Sequence, residues 1–288
     1  MDSNLIRRVG FAAVAIPAAL GVVWLGGWLL VALIALIGVL GTREVFDFSH
    51  RQGIRGSAGI ALVTAAAFAP LAYLVITGTG AGRIISAWWP YAAALWVLAT
   101  LTWALAARHP GDRPLESVAI TLFAPLYAAA LPAFLLVLRH GAHPVRSWAG
   151  TWLVFFPLVV TWVCDTAAMF GGMAMRGPKL APTVSPGKTR SGSAAGVVGG
   201  LAVAVVFGLA VFPRLGVPAS LVSLLVMALV WSTLGQVGDL AESLFKREVG
   251  VKDSSALIPG HGGVLDRFDS LYFVVPLAAA LYRFFGLV

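Results

Sequence analysis

Residues 218–247 read PASLVSLLVMALVWSTLGQVGDLAESLFKR, and the stretch begins as an almost wholly apolar run. A helix needs about 20 such residues to cross the hydrocarbon core of a bilayer. The end of the stretch differs, because Asp239, Glu242, Ser243 and Lys246 stand at helical spacing and share one face. A polar stripe on an apolar membrane helix is predicted to face a wet cavity and not lipid.

The composition extends this interpretation to the whole chain. Apolar residues make up 59% of the 288 residues, charged residues make up 11%, and the mean hydropathy is +0.91. Soluble domains carry about 25% charged residues, so a soluble fold is excluded. The apolar runs are long and continuous, which favours an all-α, polytopic bundle of transmembrane helices over a barrel. The net charge of +8 does not indicate a nucleic-acid partner, because the basic residues stand between apolar runs, where membrane topology and anionic lipids account for them.

The lengths of the apolar runs predict nine membrane spans in one continuous membrane domain. We expect residues 1–148 to supply membrane-spanning helices and residues 149–288 to carry the catalytic helices and loops. A signal peptide over residues 1–25 is the alternative for the first span. The predicted spans are about 9–25, 28–47, 57–77, 87–107, 117–138, 149–175, 193–213, 218–245 and 267–287.

The placement of lysine and arginine predicts a cytoplasmic N-terminus. With this orientation, most of the 20 basic residues lie on the cytoplasmic side, as the positive-inside rule requires. Two polar loops, about 176–192 and 246–266, then face the cytoplasm, where nucleotides are found. We therefore expect a multi-pass protein of the bacterial inner membrane with a polar cavity that opens to the cytoplasm.

Ionisable residues inside predicted spans are candidates for function, because each is costly to bury in a membrane. Asp165 lies near the middle of its span, and Asp239 lies within the eighth span. A lone aspartate that is hydrogen-bonded to neighbouring helices is the alternative for Asp165. Glu44 and Asp47 stand at the end of a helix beside arginines, and we interpret them as a solvated face.

The loop after the eighth span concentrates polar side chains, since residues 251–269 read VKDSSALIPGHGGVLDRFD. Carboxylates without a His/Cys cluster suit a hard cation, so Mg²⁺ fits and zinc does not. Nearby basic residues suit phosphate oxygens, and Gly262 and Gly263 let bare amides approach a ligand. Helix capping is the alternative for Asp266 and Asp269. Together these features predict phosphoryl or nucleotidyl transfer.

The other polar loop is basic and rich in hydroxyl groups. Residues 179–192 read KLAPTVSPGKTRSG. Lys188 in this loop fits a phosphate site, and a role in membrane topology alone is the alternative.

Several of these motifs form a longer pattern. It contains Ser243-x-x-Lys246-Arg247, Lys252-Asp253 and Pro259-x-His261-Gly262-Gly263-x-x-Asp266-Arg267-x-Asp269. The pattern closely resembles the signature of CDP-diacylglycerol synthases (phosphatidate cytidylyltransferases). The segments around Asp165 and Lys188 are similar to the same family, and the resemblance by motif covers about residues 150–288.

The resemblance implies a helical bundle in which CTP and membrane-embedded phosphatidate react to give CDP-diacylglycerol and pyrophosphate. It implies Mg²⁺ held by Asp239, Asp253 and Asp165, with a second cation such as K⁺ as an additional expectation, and homodimers are common in the family. The implied catalytic residues are Asp239, Asp253, Lys252, Asp266 and Asp269. The implied substrate-binding residues are Lys188, Ser243, Lys246, Arg247, His261, Gly262, Gly263 and Arg267.

Three alternatives stay open at this point. The first is a cation- or proton-coupled transporter that uses Asp165 and Asp239 as relay groups. The second is a cytidylyltransferase for another lipid phosphate, such as an ether-linked isoprenoid lipid. The third is a non-catalytic relative, because Arg190 and Ser191 stand where the family usually has an aromatic residue and a carboxylate.

Overall fold

The computed structural model describes residues 17–257 and 262–288, and this part of the chain is mostly helical. The helices are α1 (17–25), α2 (Gly27–Arg51), α3 (Ala58–Ile76), α4 (Gly80–Ala107), α5 (Pro114–His140), α6 (Trp148–Met175), α7 (Arg190–Val211), α8 (Leu221–Glu248), α9 (Leu265–Phe268) and α10 (Leu271–Phe284). An antiparallel hairpin, β1 (Lys179–Ala181) and β2 (Ser185–Thr189), connects α6 to α7.

Seven of the described helices, α2 to α8, are long and apolar enough to cross a membrane. The all-α membrane class is therefore confirmed. The first predicted span, about 9–25, lies partly outside the described residues. The last, about 267–287, consists of α9 and α10, and the 14 residues of α10 extend only about 21 Å against a hydrocarbon core of about 30 Å. The count of nine spans stays a prediction.

Helix α6 packs against α8 and α10 through large buried side chains. The Phe156 ring lies 5.1 Å from the Trp231 ring, centroid to centroid, and Trp231 lies 5.8 Å from Tyr282. The Tyr282 hydroxyl donates a hydrogen bond of 2.8 Å to the carbonyl of Leu153. This core fixes the relative positions of the two long helices that carry Asp165 and Asp239.

Thr189 joins the hairpin to α7. Its hydroxyl accepts a hydrogen bond of 3.1 Å from the backbone N–H of Gly192, which satisfies one of the unpaired donors in the first turn of the helix. Because Thr189 is buried and fixed by this cap, the backbone of the preceding residue, Lys188, is also fixed.

Gly238 lets α8 approach the junction between α9 and α10. A Cβ atom at this position would lie 2.8 Å from the carbonyl oxygen of Asp269 and 2.9 Å from the ring of Phe273. The missing side chain therefore allows Asp239, the next residue, to share a cavity with Asp269.

Replacing Gly238 with alanine should destabilise the protein, because the new methyl group collides with backbone. We expect a loss of about 1–3 kcal/mol in the free energy of unfolding, which is typical of overpacking, measured by thermal unfolding in detergent. Gly59→Ala is the matched control, since no atom lies within 4 Å of its Cβ position and alanine favours a helix. Equal unfolding of the two variants would contradict this interpretation of Gly238.

Candidate functional site

A cavity of about 1310 Å³ lies between α2, α6, α8, α9 and the hairpin. One part of its wall is apolar and comes mainly from α1, α2 and α6, and the other part is polar. The apolar part includes Val22, Leu30, Ile34, Ile37, Val154, Phe155, Leu158 and Trp162. The polar part includes Asp165, Arg176, Lys179, Lys188, Gln236, Asp239, Asp266, Arg267 and Asp269.

Asp239 has a cationic partner from the hairpin. The Lys188 ammonium forms an ion pair with Asp239 Oδ2, and the Ser243 hydroxyl lies 3.3 Å from Oδ1. The two side chains of the ion pair are 27% and 25% exposed, so a ligand in the cavity can reach both.

Four carboxylates line the polar part of the cavity, and three of them, all except Asp266, come from three different segments of the chain. Asp165 lies on α6, Asp239 lies on α8, and Asp269 follows α9. Like charges gathered in a partly desolvated space favour the uptake of a cation. In residues 17–257 and 262–288, no three metal-ligating side chains stand close enough to hold an ion without other ligands. Carboxylate oxygens are ligands that suit Mg²⁺, which commonly takes one or two carboxylates together with substrate phosphates.

Lys246 lies behind the cavity wall, between two further carboxylates. Its ammonium donates to Asp266 Oδ1 at 2.7 Å, and it lies 3.2 Å from Glu242 Oε1, an ion-pair contact without a hydrogen bond. The Lys246 and Glu242 side chains are 9% and 0% exposed. We predicted that Lys246 binds a substrate phosphate, but the structure places its charge in this buried cluster.

Among the described carboxylates that line the cavity, Asp266 has the most hydrogen-bond partners. Its Oδ2 accepts hydrogen bonds from the Ser254 N–H at 2.7 Å, the Ser254 hydroxyl at 2.8 Å and the Gly263 N–H at 2.8 Å. Burial alone would raise the pKa of Asp266, but hydrogen bonds from Lys246, Gly263 and Ser254 together lower it below its ordinary value. Asp266 is therefore a fixed anion at neutral pH.

The two glycines of the loop are fitted to Asp266. Gly262 has a φ of +79°, and a Cβ atom there would lie 2.5 Å from Asp266 Oδ2. The Gly263 amide, which we predicted would face a ligand, donates to the same carboxylate. These glycines shape the loop, and His261 lies outside the described residues.

The other predicted residues lie at the surface. Lys252 and Asp253 are exposed and are not among the residues that line the cavity. Arg267 is exposed and lines the cavity.

Arg247 holds the hairpin turn to the end of α8. Its guanidinium donates to the carbonyl of Val184 at 3.2 Å and to the carbonyl of Val251 at 2.8 Å. These contacts are internal to the protein, so the structure shows a structural use for Arg247 beside its predicted role in substrate binding.

Glu44 is a residue that we interpreted wrongly. Its side chain is not a solvated face, because the residue is 4% exposed and accepts hydrogen bonds from the backbone of Val264 and Leu265. Asp47 is exposed, as predicted. No local signal separates the two acids, because both follow the same apolar run and only the distant loop gives Glu44 its partners.

Two cations of the cavity wall were also not selected from the sequence. Arg176 and Lys179 both line the polar part, although only Lys188 was chosen from this loop. Ser191, one of the two departures from the family pattern, accepts a hydrogen bond of 3.1 Å from the Gly177 N–H and so connects the end of α6 to the start of α7.

The sequence model of the cytidylyltransferase family matches residues 6–285, and the resemblance found in the motifs is thereby confirmed. The chain belongs to the cytidylyltransferase family.

Relatives from several bacteria carry the name phosphatidate cytidylyltransferase. The Synechocystis sp. protein is 30% identical over 293 residues, which cover 94% of each chain. The Haemophilus influenzae protein is 36% identical over 199 residues, which cover 68% of this chain and 66% of the relative. The Brucella suis protein is 46% identical over 161 residues, so that match spans only 55% of the relative's length.

Replacing Lys246 with methionine should destabilise this family member strongly. The change leaves Glu242 and Asp266 buried without their shared cation, and removing one partner of a buried pair costs about 3–5 kcal/mol. The free energy of unfolding can be measured by SDS titration in mixed micelles.

Glu116→Gln is the control for this experiment. Glu116 pairs with Arg113 at the surface, where the two side chains are 43% and 48% exposed, and such pairs contribute about 1 kcal/mol or less. Similar losses in the two variants would show that the Lys246 cluster does not stabilise the fold.

Proposed function

We propose that this protein is a CTP:phosphatidate cytidylyltransferase that makes CDP-diacylglycerol and pyrophosphate. The observation that carries the proposal is the divided wall of the cavity, apolar on one side and charged on the other, in a member of the cytidylyltransferase family. A lipid phosphate needs both surfaces, because its acyl chains stay in an apolar environment while its headgroup meets a soluble nucleotide.

The apolar part of the wall supports a lipid substrate. Side chains such as Leu30, Ile34 and Phe155 extend the cavity away from the carboxylates. Acyl chains that leave the bilayer lose no apolar burial in such a lining. A transporter for a small cation does not require a cavity of this size with this wall.

The polar part supports phosphate groups and a divalent cation. Arg176, Lys179 and Arg267 provide cations for phosphate oxygens. Asp239, with Asp165 and Asp269 in the same cavity, would hold Mg²⁺ together with those phosphates. When bound, this ion neutralises the negative charge that the phosphates bring together.

The chain's own residues then position the reactants. Lys188 would bind a phosphate oxygen beside Asp239, because both side chains face the cavity. The lipid phosphate is already ionised at neutral pH, so its oxygen can attack the α-phosphorus of CTP without a general base. The bond from that phosphorus to the bridging oxygen breaks, and pyrophosphate leaves with the electron pair.

The placement in the membrane belongs to the same proposal. Arg176, Lys179 and Lys188 lie at the polar end of the cavity, and the positive-inside rule supports a cytoplasmic position for this end. We propose nine spans, a cytoplasmic N-terminus and a location in the inner membrane. A second, monovalent cation and a homodimer stay predictions.

Purified protein in detergent should convert labelled CTP into a lipid-soluble product only when phosphatidate and Mg²⁺ are both present. Ester- and ether-linked phosphatidates, tested side by side, distinguish the two lipid classes. A product that forms without phosphatidate, or no product with either lipid, would refute the proposed reaction.

Asp239→Asn should lower kcat by at least about 100-fold, since a metal-stabilised charge is worth several kcal/mol in the transition state. Glu248→Gln is the control, because Glu248 is an exposed acid on the same helix. If Asp239→Asn keeps the wild-type kcat, Asp239 does not hold the ion.

Asp253→Asn tests the part of the metal assignment that the geometry does not support. Asp253 is exposed outside the cavity lining, and its role as a ligand stays a prediction. A large loss of kcat would support Asp253 as a ligand of the ion, whereas full activity would remove Asp253 from the assignment.

A further inference from the structure

Glu44 is a buried acid whose hydrogen-bond partners are far from it in sequence. It lies on α2 and is 4% exposed. The loop that it contacts is more than 200 residues further along the chain, since Glu44 and Ser254 are 210 positions apart. A carboxylate is costly to bury without partners, so its contacts deserve an explanation.

Each oxygen of Glu44 accepts a hydrogen bond from a backbone N–H and lies within hydrogen-bond distance of a serine hydroxyl. Oε1 lies 2.9 Å from the Val264 N–H nitrogen and 2.7 Å from the Ser255 hydroxyl. Oε2 lies 2.8 Å from the Leu265 N–H nitrogen and 2.9 Å from the Ser254 hydroxyl. The carboxylate therefore holds Ser254 and Ser255 together with Val264 and Leu265 at the start of α9.

The loop is shaped to receive this carboxylate. A Cβ atom on Gly263 would lie 2.4 Å from Glu44 Oε1 and 2.1 Å from the Ser254 oxygen. Only glycine leaves room for both groups at this position. Gly263 therefore makes room for the Glu44 carboxylate in addition to shaping the loop.

Ser254 connects Glu44 to the site. Its hydroxyl lies within hydrogen-bond distance of Glu44 and of Asp266, and its N–H donates to Asp266. Asp266 lines the cavity and is followed by Arg267, which lines it too. A shift of Ser254 would therefore move the carboxylate and the adjacent cation that face the reactants.

We propose that Glu44 is a positioning residue, which fixes residues 254–255 and 264–265 so that Asp266 and Arg267 keep their places in the cavity wall. Glu44 does not line the cavity, so it acts through the loop. The test of this proposal has two readouts. The measurement of kcat rests on the proposed function, whereas the measurement of hydrogen exchange does not.

Glu44→Gln is the decisive variant. Each oxygen faces a backbone N–H, so the new NH₂ group meets a donor in either orientation of the amide, and at least one hydrogen bond is lost. We expect kcat to fall by up to about 100-fold, as when reacting groups are misplaced by an ångström, with little change in KM for phosphatidate. Asp47→Asn, an exposed acid on the same helix, should match wild type.

Hydrogen exchange of the full-length protein in detergent is the second readout. In Glu44→Gln, the amides of Ser254 and of residues 262–266 should exchange about tenfold faster, the effect of one lost hydrogen bond, and the rest of the protein should not change. Wild-type kcat and exchange would overturn the proposal. A lower kcat with unchanged exchange in the loop would overturn it as well.

Ser255→Ala keeps the proposal testable if Glu44→Gln fails to fold. The Ser255 hydroxyl donates to only one of the two Glu44 oxygens, Oε1. Removing this hydroxyl should therefore speed exchange in the same loop and lower kcat less than Glu44→Gln does. A silent Ser255→Ala together with global unfolding of Glu44→Gln would show that Glu44 only stabilises the fold. If the wild type makes no CDP-diacylglycerol, the proposed function fails, while the exchange comparison still decides whether Glu44 holds the loop.

Discussion

The polar end of this protein depends on the contacts of the Lys246 ammonium, which Glu242 and Asp266 share. Burying Glu242 and Asp266 is costly without a partner, and Lys246 lies 3.2 Å and 2.7 Å from their oxygens. Since Glu242 and Lys246 are on α8 and Asp266 is on α9, the cluster fixes two distant segments against each other. Asp239 lies three residues before Glu242, and Asp269 lies three residues after Asp266, so the same contact directs both of these acids to one cavity.

The polar residues thus form two layers with different roles. The inner layer consists of Lys246, Glu242 and Asp266, and in it one buried ammonium is shared by two carboxylates. The outer layer contains Asp165, Asp239 and Asp269 with Lys188 as the partner of Asp239, and it has more negative than positive charge. In the proposed reaction this layer meets a cation and phosphates, while the apolar wall retains the lipid. Glu44, which lies in the N-terminal half of the chain, holds the loop residues next to Asp266.

The sequence predicted the features that depend on local pattern. Long apolar runs identified α2 to α8 as membrane helices, and helical spacing placed Asp239 and Ser243 on one face, where they are in contact. It did not predict contacts between residues that are far apart in the chain. Glu44 and Asp47 look alike in sequence but differ in burial, and Lys246 resembles a phosphate ligand until its two buried partners are known. We predicted that the amides of Gly262 and Gly263 approach a ligand, but the Gly263 amide donates to Asp266 of the protein itself.

The most direct test of the central claim is a Mn²⁺ titration followed by electron paramagnetic resonance, with Mn²⁺ as a substitute for Mg²⁺. If Asp165, Asp239 and Asp269 form one site with the substrate phosphates, the protein binds Mn²⁺ tightly in the presence of CTP and weakly without it. Removing either Asp165 or Asp239 then weakens binding with CTP present. Binding that is independent of CTP and equal in wild type and both variants would contradict a shared cation site in this cavity.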